Sequence, residues 1–287
     1  MSRMSKILLC EIIHNNKIAQ DIYKMCLKLP GNYPRPEPGQ FVNLYLNDES
    51  RLLPRPLSVC DWEKGALTLV YAVVGAGTKI ISEYRPGKTI RCSTPLGQGF
   101  KIEGSGQDFK MVGTEQGFKI EGSEQESKMV GAEQGIEMEG NCILVGGGAG
   151  TPPLLYLAKR LMENGETKVR VILGFKSEPF LAEEFPYATE IATDDGSSGF
   201  KGKVTDLLAQ SSLPANSRIF SCGPRPMLKS LASFADAGGI ALQVSLEERM
   251  GCGYGACVGC TCKTTKGQRK VCEDGPVFYG SEVLWDE

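Results

Sequence analysis

The sequence predicts a multidomain chain: an antiparallel β-barrel or sandwich, then a doubly wound α/β domain, then a small cysteine-rich domain at the carboxyl end. The first hundred residues carry short β-rich runs separated by Pro- and Gly-rich segments. After residue 140 strands alternate with helices, and five of the 11 cysteines lie between residues 252 and 272. A length of 287 residues is enough for about two domains of ordinary size.

Residues 1–99 are predicted to form the β-rich domain. Tyr23, Met25, Leu27 and Leu29 alternate with more polar or smaller residues, as in a strand with one buried face. One helical turn is expected near residues 78–84. The predicted strands are the runs KILLCEII, DIYKMCLKL, QFVNLYL and ALTLVYAVV, which begin at Lys6, Asp21, Gln40 and Ala66.

Residues 100–135 consist of four copies of one nine-residue unit, FKIEGSGQD, FKMVGTEQG, FKIEGSEQE and SKMVGAEQG. The unit is too short for the common helical solenoids. Each copy could form a small hairpin, because a short alternating run is followed by a polar turn that contains Gly. A tandem duplication that loops out between domains is favoured, since long surface insertions cost little closure entropy. The segment 100–139 is therefore predicted to be an insertion or linker.

Residues 140–247 are predicted to form a parallel, doubly wound sheet with helices. The strand CILV leads through the loop GGGAGTPP into a helix in which Leu154, Leu157, Ala158 and Leu161 share one face, and Gly165 suits its C-terminal cap. The strands KVRVIL, TEIAT, SRIFS and IALQVSL and the helices KVTDLLAQ and PMLKSLASFADAG follow. The remaining domain, 248–287, has no long periodic element and must be organised by something other than a large core.

Composition excludes several classes of function. With 32 basic and 34 acidic residues the net charge is −2, which gives no support for a surface that binds nucleic acid. The sequence contains neither an apolar run of membrane-spanning length nor a signal-peptide pattern, so no membrane association and a cytoplasmic location are expected. His14 is the single histidine, which excludes a two-histidine zinc site.

The cysteines near the carboxyl end carry the strongest chemical signal. Cys252, Cys257, Cys260 and Cys272 follow the C-x4-C-x2-C…C spacing of a [2Fe-2S] cluster. The interleaved glycines allow the backbone to wrap closely and to direct amide N–H groups at sulfur. A four-cysteine zinc site is the rival, although its usual layout has two C-x2-C pairs and only one is present. Cys262 is an alternative fourth ligand, with Cys272 favoured.

Two loops of the α/β domain are candidate nucleotide-binding loops. The loop GGGAGTPP joins a strand to a helix start, where backbone amides and the helix dipole favour a pyrophosphate, but it does not complete a G-x-G-x-x-G pattern. The loop CGPRP, which starts at Cys222, also lies between a strand and a helix. Two such loops at one sheet edge predict a crevice; tight turning without a ligand is the alternative interpretation.

Two short segments of the β-rich domain are chemically suited to a phosphate. Arg55 and Ser58 offer a guanidinium and a hydroxyl beside a strand that Pro56 stiffens. Gly77 and Thr78 precede a possible helix and could add backbone donors. Each segment alone is a weak signal.

In order along the chain, RPLS, YAVVGAGT, PLGQGF, LVGGGAGTPPLLYLAKRL, TDDGSSGFKGKVTD, SCGPRPML and ERMGCGYGACVGCTC with KVCEDGPVF resemble one family. It is the family of electron-transfer subunits of NAD-linked dihydroorotate dehydrogenase, which are ferredoxin-reductase-type flavoproteins. The resemblance implies an FAD-binding β-barrel, an NAD-binding α/β domain and a small [2Fe-2S] domain. It covers nearly the whole chain except the repeat.

The resemblance also implies which residues bind each cofactor. For FAD these are Arg55, Pro56, Leu57, Ser58, Val70, Tyr71, Ala72, Gly77 and Thr78. For the nicotinamide nucleotide they are Gly146, Gly147, Gly148, Gly150, Thr151, Cys222, Gly223 and Pro224. For the cluster they are Cys252, Cys257, Cys260 and Cys272. No catalytic side chain is expected, because the cofactors carry the redox chemistry.

The implied function is electron transfer in de novo pyrimidine (UMP) biosynthesis. Electrons would pass from an FMN-containing catalytic subunit through the cluster and FAD to NAD+, in a heterotetramer of two plus two chains. One alternative is a related NAD(P)H-linked reductase subunit that serves a ferredoxin or a sulfur compound. The other is a zinc-stabilised regulatory protein that only senses a nucleotide.

Overall fold

The computed structural model describes residues 6–48, 52–102, 141–210, 213–214 and 216–285. The repeat predicted at 100–135 lies outside the described residues from position 103 onward. Residues up to 100 and from 140 form one compact unit.

The first six described strands close into an antiparallel barrel in the order β1-β2-β5-β4-β3-β6. The structure therefore selects the barrel over the sandwich. Four of its strands coincide with the predicted runs; β6 was not predicted, and β4 carries the proline-stiffened RPLS segment. The strands are β1 (Ile7–Ala19), β2 (Ile22–Lys28), β3 (Phe41–Tyr45), β4 (Arg55–Glu63), β5 (Ala66–Ala72) and β6 (Thr89–Ser93).

The barrel core follows from the alternation of the sequence. Met25 and Leu27 are fully buried and stand opposite Leu69 and Leu67 in the neighbouring strand, because every second side chain of a strand faces the same side. Helix α1 (Ala76–Ser82), close to the expected turn, adds Ile81 to this core.

The α/β part is a seven-stranded sheet among the described residues, in the order β10-β9-β8-β7-β11-β12-β15. Its strands pair in parallel except at β15, and the predicted strands and helices are present within a few residues. The elements are β7 (Cys142–Gly147), α2 (Thr151–Glu163), β8 (Val169–Phe175), β9 (Thr189–Thr193), β10 (Phe200–Lys201), α3 (Val204–Ala209), β11 (Arg218–Cys222), α4 (Arg225–Gly238) and β12 (Ala241–Ser245).

The carboxyl-terminal segment combines a two-stranded hairpin with a strand that joins the large sheet. The hairpin is β13 (Thr261–Thr264) with β14 (Gly267–Lys270), and β15 (Val277–Tyr279) pairs antiparallel with β12. Val271 and Phe278 are buried in the same hydrophobic cluster as the α/β core. This segment therefore shares the core of the sheet, which its Gly- and Cys-rich sequence does not reveal.

Helix α2 connects the barrel to the sheet. Tyr156 is 1% exposed and belongs to the barrel core, and its hydroxyl donates a 2.9 Å hydrogen bond to the carbonyl of Pro36. On the next turn Lys159 forms a 2.5 Å ion pair with Asp61 of β4. In the described part of the chain, no helix is long and apolar enough to cross a membrane.

Candidate functional site

Arg55 and Gly77, two of the predicted flavin-binding residues, lie in contact. Arg55 begins β4, and its Nη1 donates hydrogen bonds to the carbonyls of Leu53, at 2.8 Å, and Pro54, at 3.3 Å. A Cβ built on Gly77 would overlap the Arg55 guanidinium. The guanidinium therefore lies directly over the first turn of α1, where it can bind a phosphate together with backbone N–H groups.

Thr78 fixes the loop that precedes α1. Its Oγ1 accepts hydrogen bonds from the backbone N–H groups of Val74, at 3.0 Å, and Gly75, at 3.2 Å. It also donates to the Gly75 carbonyl at 3.1 Å. The hydroxyl is thus used within the chain, and the contribution of Thr78 is to shape the turn beneath Arg55.

The predicted residues on β4 and β5 divide between the two faces of the barrel wall. Tyr71 faces inward, stacks on Tyr23 with ring centroids 5.9 Å apart, and donates a 2.8 Å hydrogen bond to Asn15. Its neighbours Val70 and Ala72 lie on the opposite face by strand alternation. Tyr71 can therefore contribute only its backbone outside the barrel.

Pro56, Leu57 and Ser58 are half-buried along β4. Pro56 stands opposite Asn43, and Ser58 stands opposite Phe41, in strand β3. Leu57 packs against the barrel core. Pro56, Leu57 and Ser58 thus continue β4 from Arg55 along the barrel wall.

The two predicted nucleotide loops meet at one edge of the sheet. Cys222, at the end of β11, stands in register with Gly146 of β7. A Cβ on Gly150 would overlap the carbonyl of Cys222, and one on Gly147 would lie 2.9 Å from Cδ of Pro224. Gly223 also lies against the first loop, because a Cβ built on it would be 3.1 Å from the backbone nitrogen of Gly147. The two loops therefore approach each other this closely only because these positions are glycine.

The start of α2 offers a helix dipole but few backbone donors. Pro152 and Pro153 in its first turn have no N–H, and the N–H of Thr151 bonds the carbonyl of Gly148. The dipole of this 13-residue helix still favours an anion at the loop, and N–H donors would have to come from the glycine loop itself. No described atom lies within 4 Å of a Cβ built on Gly148, so the loop is open at this position. Thr151 is fully buried, and its Oγ1 has no hydrogen-bond partner among the described residues.

The four predicted cluster cysteines lie together as two interacting pairs. The thiol of Cys252 interacts with that of Cys257, and the thiol of Cys272 interacts with that of Cys260 and with the charge of Cys252. Two thiolates for each of two irons is the donor set of a [2Fe-2S] cluster. The two pairs are not closed around a single metal position, because among the described residues no group of three or more His, Cys, Asp or Glu side chains is arranged to hold a metal ion.

Backbone amides donate to two of these sulfur atoms. The N–H of Gly255 donates to Sγ of Cys272 at 3.2 Å, and the N–H of Cys257 donates to Sγ of Cys252 at 3.4 Å. Gly255 has a φ of +88°, and a Cβ there would lie 2.5 Å from the Glu273 carboxylate, so glycine is required for this wrapping. N–H groups directed at sulfur stabilise the negative charge of a thiolate-bound cluster.

The same amides act on the thiols themselves. Burial raises the pKa of Cys252, but hydrogen bonds from the backbone N–H groups of Tyr254 and Cys257 outweigh it and lower the pKa to about 7. Burial, followed by the hydrogen bond with Cys260, raises the pKa of Cys272 to about 12. Metal binding requires both thiols to lose their protons.

Cys262, the alternative fourth ligand, is as buried as Cys272. It lies on β13 and is 4% exposed, and both cysteines pack in the α/β core. Burial, followed by the charge of Glu248, raises the pKa of Cys262 to about 11. Cys272 is favoured as the partner of Cys260 because its thiol interacts with that of Cys260 and accepts the N–H of Gly255.

The cluster loop also contacts a residue that sequence reasoning missed. Asn43 of β3 donates a 3.1 Å hydrogen bond from Nδ2 to the backbone carbonyl of Cys252. No sequence signal marks Asn43, because it stands in an ordinary β-rich run and the two residues are 209 positions apart.

Residues 247–284 match the family model of the iron-sulfur cluster binding domain of dihydroorotate dehydrogenase B. Two similar proteins are described as the electron transfer subunit of dihydroorotate dehydrogenase B (NAD(+)). The one from Caldanaerobacter subterraneus subsp. tengcongensis is 35% identical over 96% of this chain and 97% of its own length. The one from Shouchella clausii is 39% identical over 95% of this chain and 96% of its own length.

Solved structures support the fold. An NADH-dependent reduced ferredoxin-NADP oxidoreductase, described in a study of flavin-based electron bifurcation, covers 100% of this chain and 92% of its own with a TM-score of 0.76 at 29% identity. A ferredoxin NADP+ reductase from Neisseria gonorrhoeae, with bound FAD and NADP, covers 84% of this chain and 99% of its own with a TM-score of 0.62 at 15% identity, and so supports the fold alone.

Fold and site together define an oxidoreductase of the ferredoxin-reductase type with an iron-sulfur segment at its carboxyl end. The chain belongs to the family of electron transfer subunits of dihydroorotate dehydrogenase B (NAD(+)). The predicted family, fold class, electron-transfer function and cofactor classes are confirmed by these findings.

Proposed function

We propose that this chain carries electrons between a [2Fe-2S] cluster on Cys252, Cys257, Cys260 and Cys272 and an FAD on the barrel, and that NAD+ is the final acceptor. The observation that carries the proposal is that, among these four thiols, the sulfurs of Cys252 and Cys272 accept backbone N–H groups from Cys257 and Gly255. Four thiolates with such N–H donors suit two irons and a negative charge. The family to which the chain belongs, whose members are electron transfer subunits, supports this role.

FAD is assigned to the outer wall of the barrel. Arg55 would bind its phosphates, with the backbone of Gly77 beside the guanidinium and Thr78 holding the turn in shape. Pro56, Leu57 and Ser58 on β4 and Val70, Tyr71 and Ala72 on β5 would line the rest of the site, with Tyr71 contributing backbone only.

NAD is assigned to the crevice between the two glycine loops. Gly146, Gly147, Gly148, Gly150 and Thr151 form one side, with the start of α2 facing the pyrophosphate. Cys222, Gly223 and Pro224 form the other side. The close fit of these loops around their glycines holds the crevice in one shape before the nucleotide binds.

These assignments separate the chemistry supplied by the cofactors from the roles of the protein side chains. A bound flavin supplies the exchange between single electrons and a hydride. Arg55 would bind phosphates and Thr78 would keep the adjacent turn in shape, and no side chain would be required as an acid or base. The proposed domains are the barrel, 1–99, the insertion, 100–139, the NAD domain, 140–247, and the cluster domain, 248–287, which lends β15 to the sheet.

The partner assigned to this chain is an FMN-containing dihydroorotate dehydrogenase catalytic subunit, in a heterotetramer of two plus two chains in the cytoplasm. The name of the family, an electron transfer subunit, supports a catalytic partner. Such a complex serves pyrimidine synthesis by removing the electrons released when dihydroorotate is oxidised.

Cofactor analysis of the anaerobically purified chain tests the proposal. We expect iron, acid-labile sulfide and FAD, and we expect Cys257→Ser to lose the cluster while FAD stays bound. Cys142→Ser is the matched control, because Cys142 is buried in β7 away from the cluster loop and accepts a 3.1 Å hydrogen bond from Arg218 that serine can keep. Zinc without iron, or a chain without flavin, would contradict the proposal.

A reductase that serves a ferredoxin is the second candidate. The observation in its favour is the 29% identity, over the whole chain, to the NADH-dependent reduced ferredoxin-NADP oxidoreductase. Purification from the native host separates the two candidates. A co-purifying FMN protein that oxidises dihydroorotate supports the first, whereas reduction of ferredoxin by NADH without such a partner supports the second.

A further inference from the structure

The side chain of Asn43 joins the barrel to the cluster loop. Asn43 is 0% exposed, although it is an amide on a barrel strand. Its Nδ2 donates to the backbone carbonyl of Cys252 at 3.1 Å. Its Oδ1 is buried and has no hydrogen-bond partner in the described part of the chain. A buried amide with an unfilled acceptor is costly, so hydrophobic burial alone does not explain why this position holds an asparagine.

The amide of Asn43 packs directly against the backbone of Gly253. A Cβ built on Gly253 would lie 2.5 Å from Nδ2 and 2.7 Å from Oδ1 of Asn43, and the φ of Gly253 is +74°. Any larger residue at this position would collide with Asn43. The loop therefore lies against the barrel at the residue that follows the first cluster cysteine.

The backbone of Asn43 is fixed from both sides. In register it faces Pro56, within the RPLS segment of β4. On the other side its N–H donates to Oγ of Ser93 in β6 at 2.9 Å. Asn43 is thus a rigid point on the barrel that touches a cluster-ligand residue and pairs with the strand assigned to the flavin.

We propose that Asn43 is a positioning residue that holds the Cys252 end of the cluster loop against β3, the strand paired with β4, and so sets the separation between cluster and flavin. The inference rests on the proposed function, since it needs both cofactors in their assigned places. Asn43 is not among the residues assigned to bind FAD or the cluster. Without the amide, the loop would keep its cysteines but lose its attachment to the barrel.

Asn43→Ala and Asn43→Thr test the inference in the cofactor-loaded protein. Both remove the amide donor, and threonine retains a high preference for strands, so the barrel is expected to fold. Asn47→Ala is the matched control, because Asn47 is an exposed barrel asparagine whose Nδ2 bonds the carbonyl of Thr89, away from the cluster loop.

The first measurement is amide hydrogen exchange of peptides that span residues 252–257. Loss of a buried hydrogen bond is expected to accelerate exchange roughly 5- to 150-fold, while helix α2 exchanges at the wild-type rate. Unchanged exchange in 252–257, or equal acceleration throughout the barrel, would overturn the positioning role.

The second measurement is rapid mixing with NADH, which supplies the electron pair. We expect loss of flavin absorbance at the wild-type rate and slower loss of iron-sulfur absorbance than in Asn47→Ala. Loss of iron-sulfur absorbance at the same rate in the Asn43 variants and in Asn47→Ala would refute the inference. A wild-type protein that lacks flavin or cluster at the outset would instead refute the proposed function, so the two failures are distinguishable.

Discussion

Gly77 lies under the Arg55 guanidinium, and a Cβ at this position would overlap the Arg55 side chain. Because Gly77 is in the first turn of α1, an alanine here is compatible with the helix but not with Arg55. The arginine would have to leave its place over the turn. Its alignment for a phosphate therefore depends on the absence of one methyl group.

We predict that Gly77→Ala weakens FAD binding roughly 10- to 150-fold, the range expected for one charge-assisted hydrogen bond. The measurement is the dissociation constant from flavin fluorescence quenching, with iron and sulfide content as an internal check. Gly75→Ala is the matched control, because no described atom lies within 4 Å of its Cβ position and its φ is −168°. Equal FAD affinity in the two variants would contradict the role given to Arg55.

At the scale of elements, α2 connects the two larger parts of the protein. Its first turn faces the glycine loop, and one turn later Tyr156 enters the barrel core and bonds the carbonyl of Pro36. The helix therefore positions the crevice assigned to NAD relative to the barrel assigned to FAD. Hydride transfer requires the two cofactors to be close and correctly oriented, and this helix contacts both parts of the protein.

We predict that Tyr156→Phe lowers the free energy of unfolding by about 1–2 kcal/mol, because the buried carbonyl of Pro36 loses its donor. The measurement is the urea midpoint at equal cofactor saturation, since bound ligands themselves stabilise the folded state. Tyr254→Phe serves as the control, because Tyr254 is 54% exposed. A loss of the same size in both variants would show that the hydroxyl of Tyr156 does not stabilise the interface.

At the scale of the whole molecule, the strand pairings that close the barrel and the sheet are made outside the repeat. The barrel closes through β1 with β6 and β3 with β6, and β7 lies in the interior of the sheet. Phe100, at the start of the first repeat unit, packs edge-on against Phe220 with ring centroids 5.8 Å apart. The attachment point of the insertion is therefore held by the folded unit.

We predict that replacing residues 103–138 with a short Gly-Ser linker leaves both cofactors bound and the thermal midpoint unchanged. The physical reason is that shortening a connection costs little closure entropy when its ends are already held. Flavin-to-protein and iron-to-protein ratios, with a calorimetric scan, provide the check. Loss of FAD in the shortened chain, with wild-type levels in one whose linker has the original length, would show that a short connection strains the domains.

The sequence alone determined the strands, the cysteine spacing and the two fold types, because each depends on residues close together in the chain. The alternation around Met25 and Leu27 predicts a strand because side chains alternate between faces, and the spacing of Cys252, Cys257 and Cys260 predicts a cluster because ligands close together in sequence must wrap one group. The change from strand runs to alternating strands and helices predicts the two fold types. Each of these signals is complete within a short stretch of chain.

Tertiary structure alone decided the features that join distant parts of the sequence. Tyr71 faces the barrel interior because Tyr23 and Asn15 lie there. The three-residue strand β15 is recognisable only through its pairing with β12. Asn43 acquires a role only when the barrel brings it to Cys252, 209 residues away. The reason is physical: periodicity and ligand spacing are properties of neighbours in the chain, whereas burial and orientation depend on what the rest of the fold places opposite each residue.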